Sequence, residues 1–268
     1  FNKALNNTIL TCDHLVDLRL VGNKIEYIPD GFSVLKSLQI FIAHSNQIRT
    51  IGEKAFRGSQ GSLTILDLSM NKLEFLPKKI VRLRKLKELR LKSNCLTELP
   101  DNFGRLRRIE SMDIGMNHLR TLPSNMDGFE LLRCLDLQRN HLKNNSITNK
   151  FERLISLTSL NLTMNEFTII PDSIGKLKRL SELKMASNFI KEIPASLSDF
   201  NLCTSLKKLW LPNNQLQKIP LTFAKLINMK SIMLDGNPLI CPPVDIAQGG
   251  HEVVREYILE RDRRIKTI

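Results

Sequence analysis

The chain has 268 residues and a formal net charge of +13, with 42% hydrophobic but only 6% aromatic residues. That apolar content excludes a disordered chain, and the shortage of aromatics requires an aliphatic core. Charged or polar residues interrupt every apolar stretch within a few positions, so no continuous run is long enough to span a bilayer.

The first residues, Phe1 to Leu10, lack the basic start and apolar block of a signal peptide, and no initiator Met precedes them. A piece of a longer chain is expected. Residues 1–14 read as the convex half of a preceding repeat or as an N-terminal cap, with Leu5 and Ile9 as the apolar residues. Five cysteines, Cys12, Cys95, Cys134, Cys203 and Cys241, are widely spaced, odd in number and without a CxxC pair. This usage points to a reducing compartment, the cytoplasm or the nucleus, and a cytoplasmic protein is expected. The sequons at Asn6, Asn144 and Asn161 carry little weight without a signal peptide.

Residues 15–240 repeat one pattern, LxxLxLxxNxL, ten times. The first copy is Leu15, Leu18, Leu20, Asn23, Ile25, and the third is Leu63, Leu66, Leu68, Asn71, Leu73. The asparagines Asn23, Asn46, Asn71, Asn94, Asn117, Asn140, Asn165, Asn188, Asn214 and Asn237 follow one another at steps of 23 to 26 residues. The LxL core predicts a short strand whose two leucines point inward. The Asn at the following turn is expected to be buried, with its amide bonded to backbone groups that would otherwise be orphaned. Stacked repeats then build an asparagine ladder, and stability grows with stacking because one repeat cannot bury its apolar face alone.

The opposite side of each repeat is marked by Leu/Ile-Pro pairs: Ile28-Pro29, Leu76-Pro77, Leu99-Pro100, Leu122-Pro123, Ile170-Pro171, Ile193-Pro194 and Ile219-Pro220. Proline fixes φ and predicts irregular backbone or short helical turns there. The second and sixth repeats lack this Pro and are longer, so bulges or fuller turns are expected over 52–61 and 143–154. Residues 241–268 read as a C-terminal cap: Cys241-Pro242-Pro243 ends the register, and an amphipathic helix runs from His251 to Lys266 with Val254, Ile258, Arg261 and Ile265 on one side.

The LPxxIxxLxxLxxLxLxxN form and the ending GNPLICPPVDIAQGGHEVVREYI resemble the intracellular branch of the leucine-rich repeat superfamily. That branch includes Ras-pathway scaffold proteins, plant intracellular Ras-group-related repeats and the repeat domains of Roco proteins. The resemblance covers essentially the whole chain. It implies an α/β leucine-rich repeat solenoid: a curved horseshoe with a parallel sheet on the concave face, short turns or 3-10/helical segments on the convex face, and a C-terminal capping helix. It also implies protein binding on the concave sheet or its rim, without naming the partner.

Outward strand positions supply the candidate binding face. Ile40, Ile42 and Ile65 form an apolar spot near the N-terminal end, and Trp210 and Met233 another near the C-terminal end. Between them the face is charged with mixed sign. Arg90 and Lys92 are expected to face Asp113 and Asp136, with Asp67 and Lys184 in the same central column. Basic pairs recur just before the strands, Arg84-Lys85, Arg107-Arg108, Lys178-Arg179 and Lys207-Lys208. They predict a cationic rim suited to an acidic partner surface, and the lack of interleaved aromatics argues against nucleic acid.

Cys95, His118, His141 and Glu166 follow the ladder Asn in successive repeats and carry zinc-ligand chemistry. Ligands in a row along one edge do not converge tetrahedrally, so they read as rim residues. No GxxxxGK[ST], GxSxG, HExxH or dinucleotide motif is present. The expectation is therefore a non-catalytic scaffold or adaptor without metal or cofactor. The alternatives are a structural component of a cytoskeletal or ciliary assembly and the recognition domain of a larger signalling enzyme.

Overall fold

The structure is a computed structural model that describes residues 11–194 and 205–266. Leu5 and Ile9 of the expected N-terminal piece, and Cys203, lie outside the described residues. The chain divides into two compact units, Phe1–Asn140 and His141–Ile268. Each is a stack of the repeats marked out by the sequence.

In the first unit the LxL segments form strands β1 (Asp17–Arg19), β3 (Ile40–Ile42), β5 (Ile65–Asp67), β6 (Glu88–Arg90), β7 (Ser111–Asp113) and β8 (Cys134–Asp136), paired in parallel and in register. A second short pair, β2 (Tyr27–Ile28) with β4 (Thr50–Ile51), lies outside this sheet. The middle residue of each strand points into the core: Phe41, Leu66 and Leu89 are fully buried. Equivalent residues therefore stack on one another, as the alternation of side chains along a strand requires.

The opposite layer is made of 3-10 turns, and proline starts them. Pro29 leads into Asp30–Val34 and Pro77 into Lys78–Arg82. The proline ring presets φ, and the missing N–H is one that the turn leaves unpaired in any case. The long second repeat carries the turn Gly58–Gly61. Phenylalanines fill the space between turns and sheet; Phe103 and Phe129 are fully buried and meet edge to face at 5.9 Å. Glycine permits the closest approach. A Cβ on Gly104 would stand 1.9 Å from the Asn125 carbonyl oxygen, and one on Gly128 would stand 2.1 Å from that of Gly104.

The asparagine ladder forms as the sequence predicts. Asn117 is 3% exposed; its Oδ1 accepts the Leu96 N–H at 3.0 Å, and its Nδ2 donates to the carbonyls of Leu91 (3.0 Å) and Ile114 (3.1 Å). Asn46, Asn71, Asn94 and Asn140 repeat the arrangement. Asn23 departs from the expected burial: it is exposed, and its bonds among the described residues go to Leu20 and Val21 of its own turn. In all ten repeats the residue before the ladder Asn has positive φ, from +52° at Arg139 to +69° at Gly236. Eight of these ten are not glycine, and the left-handed conformation costs each of them about 1 kcal/mol. From Asn46 onward the inward-turned Asn side chain offsets that cost through its hydrogen bonds to the backbone.

The second unit has strands β9 (Ser159–Asn161), β10 (Glu182–Lys184), β11 (Lys208–Trp210) and β12 (Ser231–Met233), again parallel and in register. The long sixth repeat carries two 3-10 turns, Asn144–Ser146 and Asn149–Arg153. Asn165, Asn188, Asn214 and Asn237 continue the ladder pattern within this unit. After the last repeat come helices Val244–Gln248 and Gly250–Lys266. Val254 and Ile258 of the long helix are buried, and the helix packs on the turn Leu221–Lys225 and on β12. Ile265, expected on the same apolar side, is 51% exposed, beyond the surface the helix covers. Arg261 instead donates to Cys241 Sγ at 2.8 Å. His251 packs edge to face on Phe223 at 6.2 Å; burial lowers its pKa, Arg255 adds to the lowering and Glu252 opposes it.

Candidate functional site: the outward strand face

Outward residues of the strands stand in columns because the register is strict. In the first unit Ile40 lies beside Ile65, and Ile42 beside Asp67. All three isoleucines are half-buried rather than freely exposed. Asp67 is 4% exposed, and its Oδ1 accepts the Ser69 N–H at 3.0 Å. Asp113 and Asp136 do the same for Gly115 (3.0 Å) and Gln138 (2.9 Å). A short acceptor at this position thus tethers the turn that follows the strand. In the second unit Asn161 does this for Thr163 at 3.1 Å.

Arg90 does not pair with Asp113 as expected. Its guanidinium bonds Glu88 on its own strand and stands 3.5 Å from Asp67 on the preceding one. Glu88 is on the same face two residues away, and one oxygen of Asp113 is already committed to Gly115. Asp113 is therefore left beside Asp136, its register neighbour. Burial raises the Asp113 pKa; Gly115 N–H opposes the shift, Asp136 adds to it, Lys92 opposes it and Asp67 adds to it.

This makes a sign-definite prediction. The native state holds the Asp113 proton to higher pH than the unfolded chain does, so stability is lost as pH rises through the window from the ordinary carboxylate range to the raised value. Asp113→Asn keeps the acceptor, as Asn161 demonstrates, and removes the repulsion. The variant is expected to be about 0.5 kcal/mol more stable at neutral pH, with the gain vanishing below the carboxylate range. Thermal melts at both pH values check it, and a gain that persists in acid would refute the electrostatic origin.

In the second unit Trp210 is half-buried on β11. The Lys184 ammonium lies 4.3 Å from its ring centroid, and its indole Nε1–H, itself buried, has no acceptor among the described residues. Met233, its register neighbour, is 44% exposed. Glu182 holds the surrounding ammonium groups, at 3.4 Å from Lys184 and 3.7 Å from Lys208. The sequence named Lys184, Trp210 and Met233 separately; the cation–ring contact follows from Lys184 and Trp210 sharing one register position.

The basic rim is more concentrated than the sequence suggested. Arg84, Lys85, Arg107 and Arg108 share a groove of about 1110 Å³ with Arg82 and Arg105, which the sequence reading passed over. The signal was present: Arg82 and Arg105 are spaced by the same repeat step. Of the row Cys95, His118, His141 and Glu166, His141 Nδ1 and Glu166 Oε1 lie 3.1 Å apart. Among the described residues no three His, Cys, Asp or Glu side chains gather where they would hold a metal ion, and no helix is long and apolar enough to cross a membrane.

Comparison with known proteins agrees with this architecture. Leucine-rich repeat family profiles match residues 36–96 and 61–119, and a further one matches residues 156–177. A probable inactive serine/threonine-protein kinase, roco10, of Dictyostelium discoideum is 32% identical over 105 residues, 38% of this chain and 4% of that protein. A MAP kinase phosphatase with leucine-rich repeats from the same organism is 33% identical over 98 residues, 35% of this chain and 12% of that protein. The match thus spans only a small part of each relative. Among solved structures, a leucine-rich repeat protein of Leptospira interrogans superposes with a TM-score of 0.79 at 28% identity, covering 87% of this chain and 58% of that one. The complex of the plant peptide hormone receptor RGFR1 with RGF2 superposes with a TM-score of 0.54 at 27% identity, covering 86% of this chain and 45% of that one. The chain is similar to leucine-rich repeat proteins over residues 36–119 and 156–177, and it has the fold of a leucine-rich repeat solenoid, consistent with a protein–protein interaction module.

Proposed function

We propose that this chain is a non-catalytic scaffold or adaptor that takes a protein partner on the outward strand face and its rims. The observation that carries the reading is the Trp210 site: a half-buried indole flanked by exposed Met233 and capped by Lys184. Tryptophan offers a large rigid contact at low entropic cost, and such residues dominate interface energies. In the first unit Ile40, Ile42, Ile65, Asp67, Arg90, Lys92, Asp113 and Asp136 offer a contact surface of their own. The excess of positive charge steers an acidic partner surface toward the rim. The similar plant peptide hormone receptor RGFR1, in complex with RGF2, supports a polypeptide partner.

Two further observations favour a cytoplasmic signalling setting within the Roco and Ras-scaffold branch. Cys12, Cys95, Cys134 and Cys241 are free thiols, which supports a reducing compartment. Both Dictyostelium relatives carry names of signalling proteins far longer than the matched stretch, which favours, as a second reading, the recognition domain of a larger signalling enzyme.

Trp210→Ala is expected to weaken partner binding about 30-fold, or about 2 kcal/mol. Crosslinking mass spectrometry of wild type and variant in native lysate checks it. A partner crosslinked to the strand face and lost from the variant supports the reading. Crosslinks over the turn layer and rims that the variant leaves unchanged would replace it with a structural role inside a cytoskeletal or ciliary assembly.

A further inference from the structure

We infer that the groove along the edge of the first unit is a binding site for a compact, soluble polyphosphorylated small molecule. This goes beyond the strand-face reading and stands without it. Arg82, Arg84 and Lys85 line the groove from one repeat, and Arg105, Arg107 and Arg108 from the next, at equivalent positions. All six side chains are exposed, no carboxylate lines the groove, and none of the six forms an ion pair among the described residues. Repeats in register hold like positions about 4.8 Å apart, so the arrangement stacks like charge on like charge. It is stabilised by taking up anions.

The shape and composition select the anion. Five of the six cations are arginines, whose planar guanidinium binds phosphate through two parallel hydrogen bonds where lysine offers a point charge. A volume of about 1110 Å³ lies just above the usual range for small-ligand sites, of about 300–1,000 Å³. Three phosphates, each carrying close to two negative charges, match six cations. The cluster is also short. One repeat further on, Glu130 takes the position of Arg107; one repeat back, Gly61 takes that of Arg84. A Cβ on Gly61 would meet nothing, so this wall of the groove is open. An extended acidic peptide or a flat anionic bilayer reaching across neighbouring repeats would meet Glu130, whereas a compact ligand stays within the cationic pair of repeats. No aromatic side chain lines the groove, which leaves nucleobases without a stacking surface.

The test is titration calorimetry of the full chain with inositol hexakisphosphate, repeated with an oligo-aspartate peptide and with vesicles containing a polyphosphoinositide. The expected result is saturable, salt-sensitive binding of the soluble polyphosphate. Arg84→Glu combined with Arg107→Glu is expected to weaken it at least tenfold. Lys178→Glu combined with Arg179→Glu makes the same change in net charge at an equivalent position in the second unit and is expected to leave it within twofold. Gly61→Glu, which the open wall admits without a clash, is expected to weaken it as well. Equal loss in the Lys178/Arg179 variant would reduce the effect to net charge and overturn the site. So would tighter binding of the peptide, or capture by vesicles without binding of the soluble polyphosphate. Circular dichroism and melting of each variant exclude misfolding as the cause of a loss.

Discussion

Asn117→Ala is expected to lower the unfolding free energy by about 3–5 kcal/mol, a large fraction of the stability of an ordinary domain. The side chain satisfies the Leu96 N–H and the carbonyls of Leu91 and Ile114 from a position only 3% exposed. Alanine leaves these groups buried and unpaired, each at about 1–3 kcal/mol, with partial relief where water enters. The comparison is Asn23→Ala. Asn23 is exposed and bonds only carbonyls of its own turn among the described residues, and its loss is expected to cost about 0.5 kcal/mol. Urea unfolding of the two variants separates them; equal losses would show that the ladder is not cooperative with burial.

Gly104→Ala carries the second large effect, about 2–4 kcal/mol. The added methyl would stand 1.9 Å from the Asn125 carbonyl oxygen and 3.1 Å from its carbon, both backbone atoms that no rotamer change can move. The turn Met126–Gly128 would have to shift, and with it the edge-to-face contact of Phe129 on Phe103. Gly61→Ala is the internal control. Its methyl meets nothing and its φ is not in the left-handed region, so its effect is expected to stay within about 0.5 kcal/mol. Melting temperatures of both variants decide the matter. A Gly104→Ala protein as stable as wild type would mean that the turn layer is plastic.

The repeat made most of the fold legible. Each LxL core, each ladder Asn and each proline-led turn constrains the same backbone, so local pattern and stacking agree. Burial of Phe41 in a leucine position and the 3-10 form of the turns follow from that agreement. The site was less legible because its chemistry depends on competition among neighbours. Arg90 had Asp113 and Asp67 at equal register distance; Glu88 and the tether from Asp113 to Gly115 decided the outcome. The isoleucine spot reads as exposed in the sequence, yet Ile40, Ile42 and Ile65 are half-buried once the strands stand in register. The cationic groove draws on positions that a search for adjacent basic pairs skips, since Arg82 and Arg105 are isolated in sequence and meet the others only through stacking.

The ladder has a direction. From Asn46 onward each ladder asparagine serves the repeat before it: Asn46 accepts from Ile25, Asn71 from Ile48 and Asn237 from Leu216. In the final repeat the equivalent amide, Leu239 N–H, turns back to the Asn237 carbonyl oxygen instead. A chain emerging from the ribosome therefore always ends on an unfinished repeat, whose amide waits for an asparagine about two dozen residues away. Synthesis from the N-terminus closes the repeats one at a time and in order. A nascent chain halted at any point holds closed repeats behind it and one open backbone edge ahead, the edge that a co-translational chaperone would have to shield.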